Sequence, residues 1–452
     1  MILGGGGFRV PLICRELAAS GLAVGEVVLY DVAPERLGVI AAVLAGGGLP
    51  LRVTTDLDEA LRGTDVIFAA LRVGGLAGRV ADERSALDAG VIGQETVGAG
   101  GLSYAARAVP VVDAIARRVA ELAPRAWVIS MTNPAGIVTE VMAATLGPRV
   151  IGVCDSPMGL VRRACAAAGV DPGPRLAQVP DGVEVDYLGL NHLGWLRGLR
   201  VNGTDRLPGL LADPDALERT EEGKLFGADF LQALGAIPNE YLYWYYARAE
   251  ALRDVRAAGR TRAEHVRAEQ QRFFAAAAAD PGRAAALWAG ANDERNRSYF
   301  AELRTGERDA ADVEAGGYET MAVGLAAALT GDAGSTGAAA PARLILNVRN
   351  GGTVPALAPD AVIETVCLVD GDGAVPLPVP PPSDHQLGLM STVKSCERAI
   401  ASAALTGSAG DALRAFALHP LVGSLGAART LSAAALARAA GSTAVGGDRD
   451  RW

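Results

Sequence analysis

An α/β fold is what this sequence predicts, with an N-terminal Rossmann-type parallel sheet domain and a mixed α+β C-terminal domain. Three observations carry that expectation. Over the first 155 residues, short apolar runs alternate with helical patterns, the rhythm of a parallel sheet. Four consecutive glycines, Gly4 to Gly7, follow the first apolar pair and open a helical pattern. Beyond residue 155 the pattern changes to long alternating stretches and then to a helix-rich region. A chain of 452 residues suits two or three domains and has ample length to bury a core.

Taken in order, Ile2-Leu3 is a short first strand that runs into GGGGFRVP (Gly4 to Pro11) and a helix to about Ser20. EVVLYD (Glu26 to Asp31) is a second strand ending in an acid, and LRVTTD (Leu51 to Asp56) and DVIFAALRV (Asp65 to Val73) are further strands. A long helix covers Tyr104 to Leu122, and AWVISMTN (Ala126 to Asn133) is a buried strand. Pro134 in the first turn and Gly147 at the close bound a helix between them. RVIGVCD (Arg149 to Asp155) ends this half. In the second half, Val183 to Gly203 alternates like long antiparallel strands, and helices dominate from about Pro214 to Thr330. Gly331 to Pro341 reads as a loop, Arg343 to Val348 and Val362 to Asp370 as strands, and Pro376 to Asp384 as an extended connector before two final helices. Residues 441–452 are expected to be a flexible tail.

Composition narrows the function classes. The net charge of −9 offers no broad basic surface for nucleic acid or anionic lipid, so any phosphate must be met by a few placed arginines. Five scattered cysteines form no C-x-x-C pair and no disulfide framework. The apolar runs are short and flanked by charge, and the opening residues leave no room for a signal peptide. The expectation is a reducing, cytoplasmic compartment with no membrane or nucleic-acid partner.

Several residues could carry chemistry. Gly4, Gly5, Gly6 and Gly7 lie between a strand and a helix, where backbone N–H groups can hold a pyrophosphate, although Arg9 breaks a clean G-x-G-x-x-G spacing. Asp31, at the end of the second strand, can accept both ribose hydroxyls of NAD and would repel a 2′-phosphate. Cys154 and Asp155 sit at a strand's carboxyl end, the ligand edge of a parallel sheet, yet a cysteine there is also ordinary core packing. The same ambiguity holds for the pair Asn191-His192 in an apolar strand, although the chain has only four histidines. Thiolate plus imidazole would make a partial metal site open to substrate oxygens. NEYLYWYY (Asn239 to Tyr246) is either an aromatic helix face or the source of a tyrosine base, which with an unperturbed pKa near 10 would need a nearby cation. QET (Gln94 to Thr96) and TNP (Thr132 to Pro134) are polar interruptions beside strand ends.

Together these segments resemble glycoside hydrolase family 4, the NAD- and metal-dependent phosphoglucosidases, over nearly the whole chain. The resemblance is carried by GGGGFRVP, RVGGLAGR (Arg72 to Arg79), IGQETVGAGG (Ile92 to Gly101), MTNPAG (Met131 to Gly136) and IGVCDSP (Ile151 to Pro157). It continues through GLNHLGW (Gly189 to Trp195), IPNEYLYWYY (Ile237 to Tyr246), ILNVRNGG (Ile345 to Gly352) and HPLVG (His419 to Gly423). It implies Cys154 and His192 as ligands of Mn²⁺ or a similar ion, Tyr241 as catalytic base, Glu95 as an acid that increases its basicity, and Asp155 as proton donor. It also implies substrate contacts from Arg79, Asn133, Asn191 and Arg262, and cofactor contacts from Gly4 to Gly7, Phe8 and Asp31. The implied chemistry departs from the two-carboxylate scheme of most glycosidases. NAD oxidises C3 of the sugar, Tyr241 removes the C2 proton, the aglycone is eliminated, water adds, and the hydride returns. On this view residues 1–155 bind NAD, residues 156–440 bind metal and substrate, and the enzyme is a homodimer or homotetramer. The β-linked, 6-phosphorylated glucosides are the expected substrates. An α-glucosidase, favoured by Asp155, or an enzyme for unphosphorylated glycosides is the alternative. A 2-hydroxy acid dehydrogenase shares the glycine loop and TNP but would need a late histidine with acid and arginine partners. A non-enzymatic NAD sensor would not need Cys154, His192 and Tyr241 together.

Overall fold

The computed structural model describes residues 1–173, 178–297, 317–331 and 341–444. Its strands follow the apolar runs of the N-terminal part: β1 (Ile2–Leu3), β2 (Val27–Tyr30), β3 (Leu51–Thr54), β4 (Val66–Ala69), β5 (Trp127–Ser130) and β6 (Val150–Gly152). All six are parallel, in the spatial order β3-β2-β1-β4-β5-β6. This doubly wound order reverses between β1 and β4, and the crevice outside the carboxyl ends at that reversal is where such sheets take ligands. Period-two alternation sends Ile2, Val27 and Leu29 into one core and Leu3, Val28 and Tyr30 into another. Helices Val10–Ala19, Ser156–Ala167 and Tyr318–Thr330 close the first core; Gly98–Leu122, Ala135–Leu146 and the C-terminal helices close the second.

The C-terminal part adds β7 (Val183–Leu190), β8 (Leu193–Val201), β9 (Thr204–Asp205), β10 (Ile237–Pro238), β11 (Ala342–Arg349), β12 (Val362–Asp370) and β13 (Gly373–Pro376). They extend the same sheet, antiparallel, from β6 through β11, β12, β7 and β8 to β10, with β13 on β12 and β9 on β8. The sheet thus runs on across the expected boundary after residue 155. The join is one pair, Gly152 with Asn347. A Cβ on Gly152 would lie 2.3 Å from Thr139 Oγ1 and 2.8 Å from Asn347 Cβ, so glycine is what lets a helix and a strand both close on β6.

Three expectations need correction. The helix expected from Tyr104 begins at Gly98, because Gly100 and Gly101 sit against the backbone of the preceding loop and glycine there serves close approach. β4 ends at Ala69, where Leu71 N–H leaves the ladder to donate to Thr132 Oγ1. Three helices, not two, close the chain: Asp384–Thr406, Ala409–Leu418 and Leu425–Ala444. Gly407 (φ 74°) stops the first and Ser408 caps the second by accepting from Asp411 N–H. The last helix reaches Ala444; the remainder of the expected tail, and residues 332–340 of the expected loop, lie outside the described residues. No helix among the described residues is long and apolar enough to cross a membrane, and all five cysteines are buried and free.

His419, between the last two helices, is buried; its Nδ1 accepts from Leu421 N–H at 3.2 Å, and burial pushes its pKa down to about 4. The unfolded chain, with His near 6.5, therefore takes up a proton that the folded chain refuses. This contribution is complete above pH 6.5 and is lost as pH falls towards 4. Between pH 6.5 and 5 the loss should be about 2 kcal/mol. Urea unfolding at both pH values should show a smaller decline for His419→Gln than for the wild type.

Candidate active site

Five segments end at the carboxyl edge of the parallel strands and supply the site. After β1, Gly4 (φ 84°) and Gly5 both donate their N–H groups to Tyr30 O, at 2.9 and 2.7 Å. A Cβ on Gly4 would meet Ala70 O at 2.6 Å, so the loop lies flat between β2 and β4. After β2, Asp31 locks onto the loop: its Oδ2 accepts from Gly6 N–H at 3.0 Å and its Oδ1 from Ala33 N–H at 3.1 Å. Arg36 donates Nε–H to Gly6 O at 3.2 Å and lies 4.1 Å from the ring centre of Phe274. Phe8 packs edge-on to Phe273, and its carbonyl accepts from Trp288 Nε1–H at 2.8 Å. A cavity of about 1230 Å³ opens over this loop, lined by Gly4, Gly7, Phe8 and Asp31 and, farther along, by Asn133, Asp155 and Tyr241. A volume of this size holds a dinucleotide together with a small substrate.

Cys154 follows β6 at the seam. Its thiol is buried, lies 3.2 Å from Ser156 Oγ and accepts from Tyr318 Oη–H at 3.6 Å. Burial, with Glu364 and Asp155 nearby, pushes its pKa up. His192 forms the two-residue turn between β7 and β8 with Asn191, at φ 60°, a left-handed conformation that a histidine rarely adopts. Its ring is stacked on Tyr241 at 3.7 Å and 11°. Nδ1 lies 2.9 Å from Thr96 Oγ1, while the buried Nε2 has no partner among the described residues. Burial holds the imidazole neutral, with its pKa lowered to about 3.

Beneath these residues runs a buried polar network. Asn239 donates to Ser156 Oγ at 2.9 Å and accepts from Tyr241 N–H at 3.1 Å, coupling the cysteine side to the tyrosine. Glu364, on β12, accepts from Tyr187 Oη–H at 3.0 Å, Asn191 Nδ2–H at 3.2 Å and Asn347 Nδ2–H at 2.9 Å. Burial raises its pKa to about 7 against the pull of those three donors.

Charge on the opposite wall is paired and layered. Glu95 meets Arg72 in an ion pair and Arg79 Nη1 at 2.7 Å. Burial alone would push this carboxyl up, but the two guanidinium groups outweigh it and hold its pKa at about 2. Arg79 also donates Nε–H to Glu83 at 2.8 Å, and it lines two small side cavities, not the large one. Arg262 shares one of those side cavities and donates to Arg295 O at 3.4 Å. Arg9, Arg72 and Arg295 face the large cavity. Arg9 pairs with Glu319 at 3.1 Å. Burial first, then Arg9 and Arg262, lower Arg295 to about 9.

The structure therefore brings Gly4, Gly7, Asp31, Asn133, Asp155, Glu95 and Tyr241 to one cavity. His192 stands behind Tyr241, Cys154 behind Ser156, and Asn191 turns its amide to Glu364. Sequence reasoning marked the segments QET and NEYLYWYY but gave no role to Thr96 or Asn239, and it missed Glu364, whose only local signal was an acid inside an apolar run. It also missed Arg72 and Arg295 as cavity residues. Among the described residues no three His, Cys, Asp or Glu side chains cluster as a complete metal site. Cys154 offers a thiol and His192 a buried Nε2 that has no partner among the described residues, and sulfur and imidazole nitrogen are both donor types that a divalent ion takes.

Residues 1–169 match the model of family 4 glycosyl hydrolases, and residues 187–422 match the model of that family's C-terminal domain. The chain is similar to the probable 6-phospho-beta-glucosidase of Bacillus subtilis (strain 168), at 29% identity over 439 residues, covering 93% of this chain and 91% of that one. It is similar in structure to a 6-phospho-alpha-glucosidase from gut microorganisms solved in complex with NAD and Mn²⁺ (TM-score 0.77, 25% identity, 98% of each chain). It also resembles the Thermotoga maritima 6-phospho-beta glucosidase solved with manganese, NAD⁺ and glucose-6-phosphate (TM-score 0.77, 25% identity, 97% of each chain).

Because Glu364 answers three buried donors, Glu364→Ala should cost roughly 3–5 kcal/mol of stability in urea unfolding, and Glu364→Gln, which keeps one acceptor oxygen, less.

Proposed function

The chain belongs to family 4 of the glycosyl hydrolases, and from that premise we propose that it hydrolyses 6-phospho-β-glucosides with NAD and a divalent metal, Mn²⁺ being the expected ion. The observation that carries the reading is the buried Nε2 of His192, which has no partner among the described residues, in a ring stacked on Tyr241. An orphaned imidazole nitrogen in an interior is costly unless something completes it. When bound, NAD would accept and return the hydride at C3 of the sugar, and the metal would polarise the C3 carbonyl and stabilise charge developing across C2 and C3.

The chain's own residues divide the remaining work. Cys154 Sγ and His192 Nε2 would hold the metal. The loop Gly4 to Gly7, whose own N–H groups turn inward to Tyr30 O, Asp31 and Gly4 O, would let the pyrophosphate approach closely to the amino end of helix Val10–Ala19, and the unused lone pairs of Asp31 would take ribose hydroxyls. Tyr241 removes the C2 proton, which the adjacent ketone has made acidic, and its backbone is fixed by Asn239. Loss of that proton expels the aglycone from C1, with Asp155 protonating the departing oxygen. Water then adds at C1, and Tyr241 returns a proton to C2. Glu95, kept ionised by Arg72 and Arg79, offsets part of their positive charge and so leaves Tyr241 more basic than the bare guanidinium groups would. Asn133, whose buried Oδ1 lacks a partner among the described residues, would accept from a sugar hydroxyl.

Arginines at the cavity support a phosphorylated substrate, since a planar guanidinium suits bidentate phosphate recognition. Arg9, Arg72 and Arg295 would meet the phosphate directly, while Arg79 and Arg262, one layer back, hold Glu95 and Arg295 in place. The motifs IGQET and GLNHLGW and the Bacillus subtilis relative favour the β anomer. Asp155 at the cavity favours the α anomer as the second reading, and elimination after C3 oxidation is open to both faces.

In heavy water the product of the wild-type enzyme should carry deuterium at C2, and Tyr241→Phe should lose turnover while still binding NAD; unlabelled wild-type product would rule out proton abstraction at C2. With 4-nitrophenyl α- and β-glucosides, each with and without a 6-phosphate, assayed with NAD⁺ and Mn²⁺, the β-linked phosphate should turn over fastest. Arg295→Ala should lower kcat/KM for phosphorylated substrates about ten- to a hundredfold, as expected for loss of a charge-assisted contact, with little effect on unphosphorylated ones. Faster turnover of the α-linked phosphate would hand the assignment to the second reading.

A further inference from the structure

We infer that Thr96 is a positioning residue for His192: its hydroxyl, oriented by Gln94, selects the imidazole edge and tautomer that leave the Nε2 lone pair bare for a metal. The inference rests on the metal reading above. Gln94 Oε1 collects three donors, the N–H groups of Thr96 at 2.6 Å and Val97 at 2.9 Å and the hydroxyl of Thr96 at 3.1 Å. Two backbone N–H groups aimed at one atom identify it as the amide oxygen. A hydroxyl has a single hydrogen. With that hydrogen on Gln94 Oε1, Thr96 Oγ1 presents a lone pair to His192 Nδ1 at 2.9 Å, so Nδ1 carries the proton. The opposite arrangement, with the hydroxyl donating to Nδ1, would forfeit the bond to Gln94 and bury an Nε2–H without an acceptor.

Thr96 is needed because the other contacts leave one freedom open. Stacking on Tyr241 fixes the plane of the ring, but a half-turn about Cβ–Cγ returns the ring to that plane with its two edges exchanged. The bond to Thr96 distinguishes those two states. The loop that carries it is built onto the following helix: a Cβ on Gly100 would lie 1.9 Å from Gln94 O, and one on Gly101 2.4 Å from Thr96 O. The outer hydrogen bond to a ligating histidine is worth ten- to a hundredfold in metal affinity.

The test is Mn²⁺ titration by calorimetry of the full chain as wild type, Thr96→Ser and Thr96→Val, with ¹⁵N NMR of the histidine rings in metal-free protein. Thr96→Val should weaken Mn²⁺ binding about ten- to a hundredfold, and Thr96→Ser should restore it to near wild type. The wild-type His192 spectrum should show a protonated Nδ1 and an unprotonated Nε2. A proton on Nε2 in the wild type overturns the inference, as does Thr96→Val binding Mn²⁺ as tightly as the wild type. Should Thr96→Val not fold, the wild-type tautomer still decides. A wild type with the expected tautomer that takes up no Mn²⁺ would overturn the metal reading and leave the role of Thr96 in setting the ring standing.

Discussion

A parallel strand and an antiparallel one meet in this protein at a single pair, Gly152 against Asn347, and the site depends on how closely they meet. Any side chain at 152 would strike Thr139 and Asn347. Because the seam closes, Cys154, two residues beyond it, lies near Glu364 on the next strand but one. Glu364 pairs with Gly189 across β12 and β7, which puts the Asn191-His192 turn on the same edge of the sheet. One backbone contact thus joins a nucleotide-type crevice to a hairpin that contributes the imidazole.

Placing polar groups at that seam is expensive, and the network shows how the cost is offset. A buried carboxyl is tolerated where its lone pairs are answered, and Glu364 has three donors. Glu95 survives burial by a different means, with two guanidinium groups against it. His192 has neither remedy in full. It holds a left-handed backbone conformation and keeps one ring nitrogen without a partner among the described residues, two locally unfavourable features that the surrounding packing sustains.

The two walls of the cavity differ in electrostatic character. Towards the seam the groups are neutral or held neutral: a high-pKa thiol, an uncharged imidazole and amides. Towards Arg9, Arg72 and Arg295 they are cationic and partly compensated by Glu95 and Glu319. An anionic group is better accommodated at the second wall than at the first.

Much of the fold was legible because its signals are local. Strands β1 to β6 follow short apolar runs, the four glycines mark the turn after β1, and an acid closes β2. The hairpin of β7 and β8 lay within the stretch read as antiparallel strands. What periodicity could not show were contacts between residues far apart in the chain. The helix read from Tyr104 starts at Gly98, and the loop packed on Gly100 and Gly101 supplies the reason for glycine there. Arg79 read as a cavity residue, yet its fork is taken by Glu83 and Glu95. Thr96 and His192 are 96 residues apart, and Tyr187 and Glu364 are 177 apart. The sequence by itself determined which chemical groups are available and which strands carry them. Only the tertiary structure decided which nitrogen of His192 is left bare and which arginines reach the cavity, because hydrogen-bond partners are chosen by three-dimensional proximity after the sheet has closed.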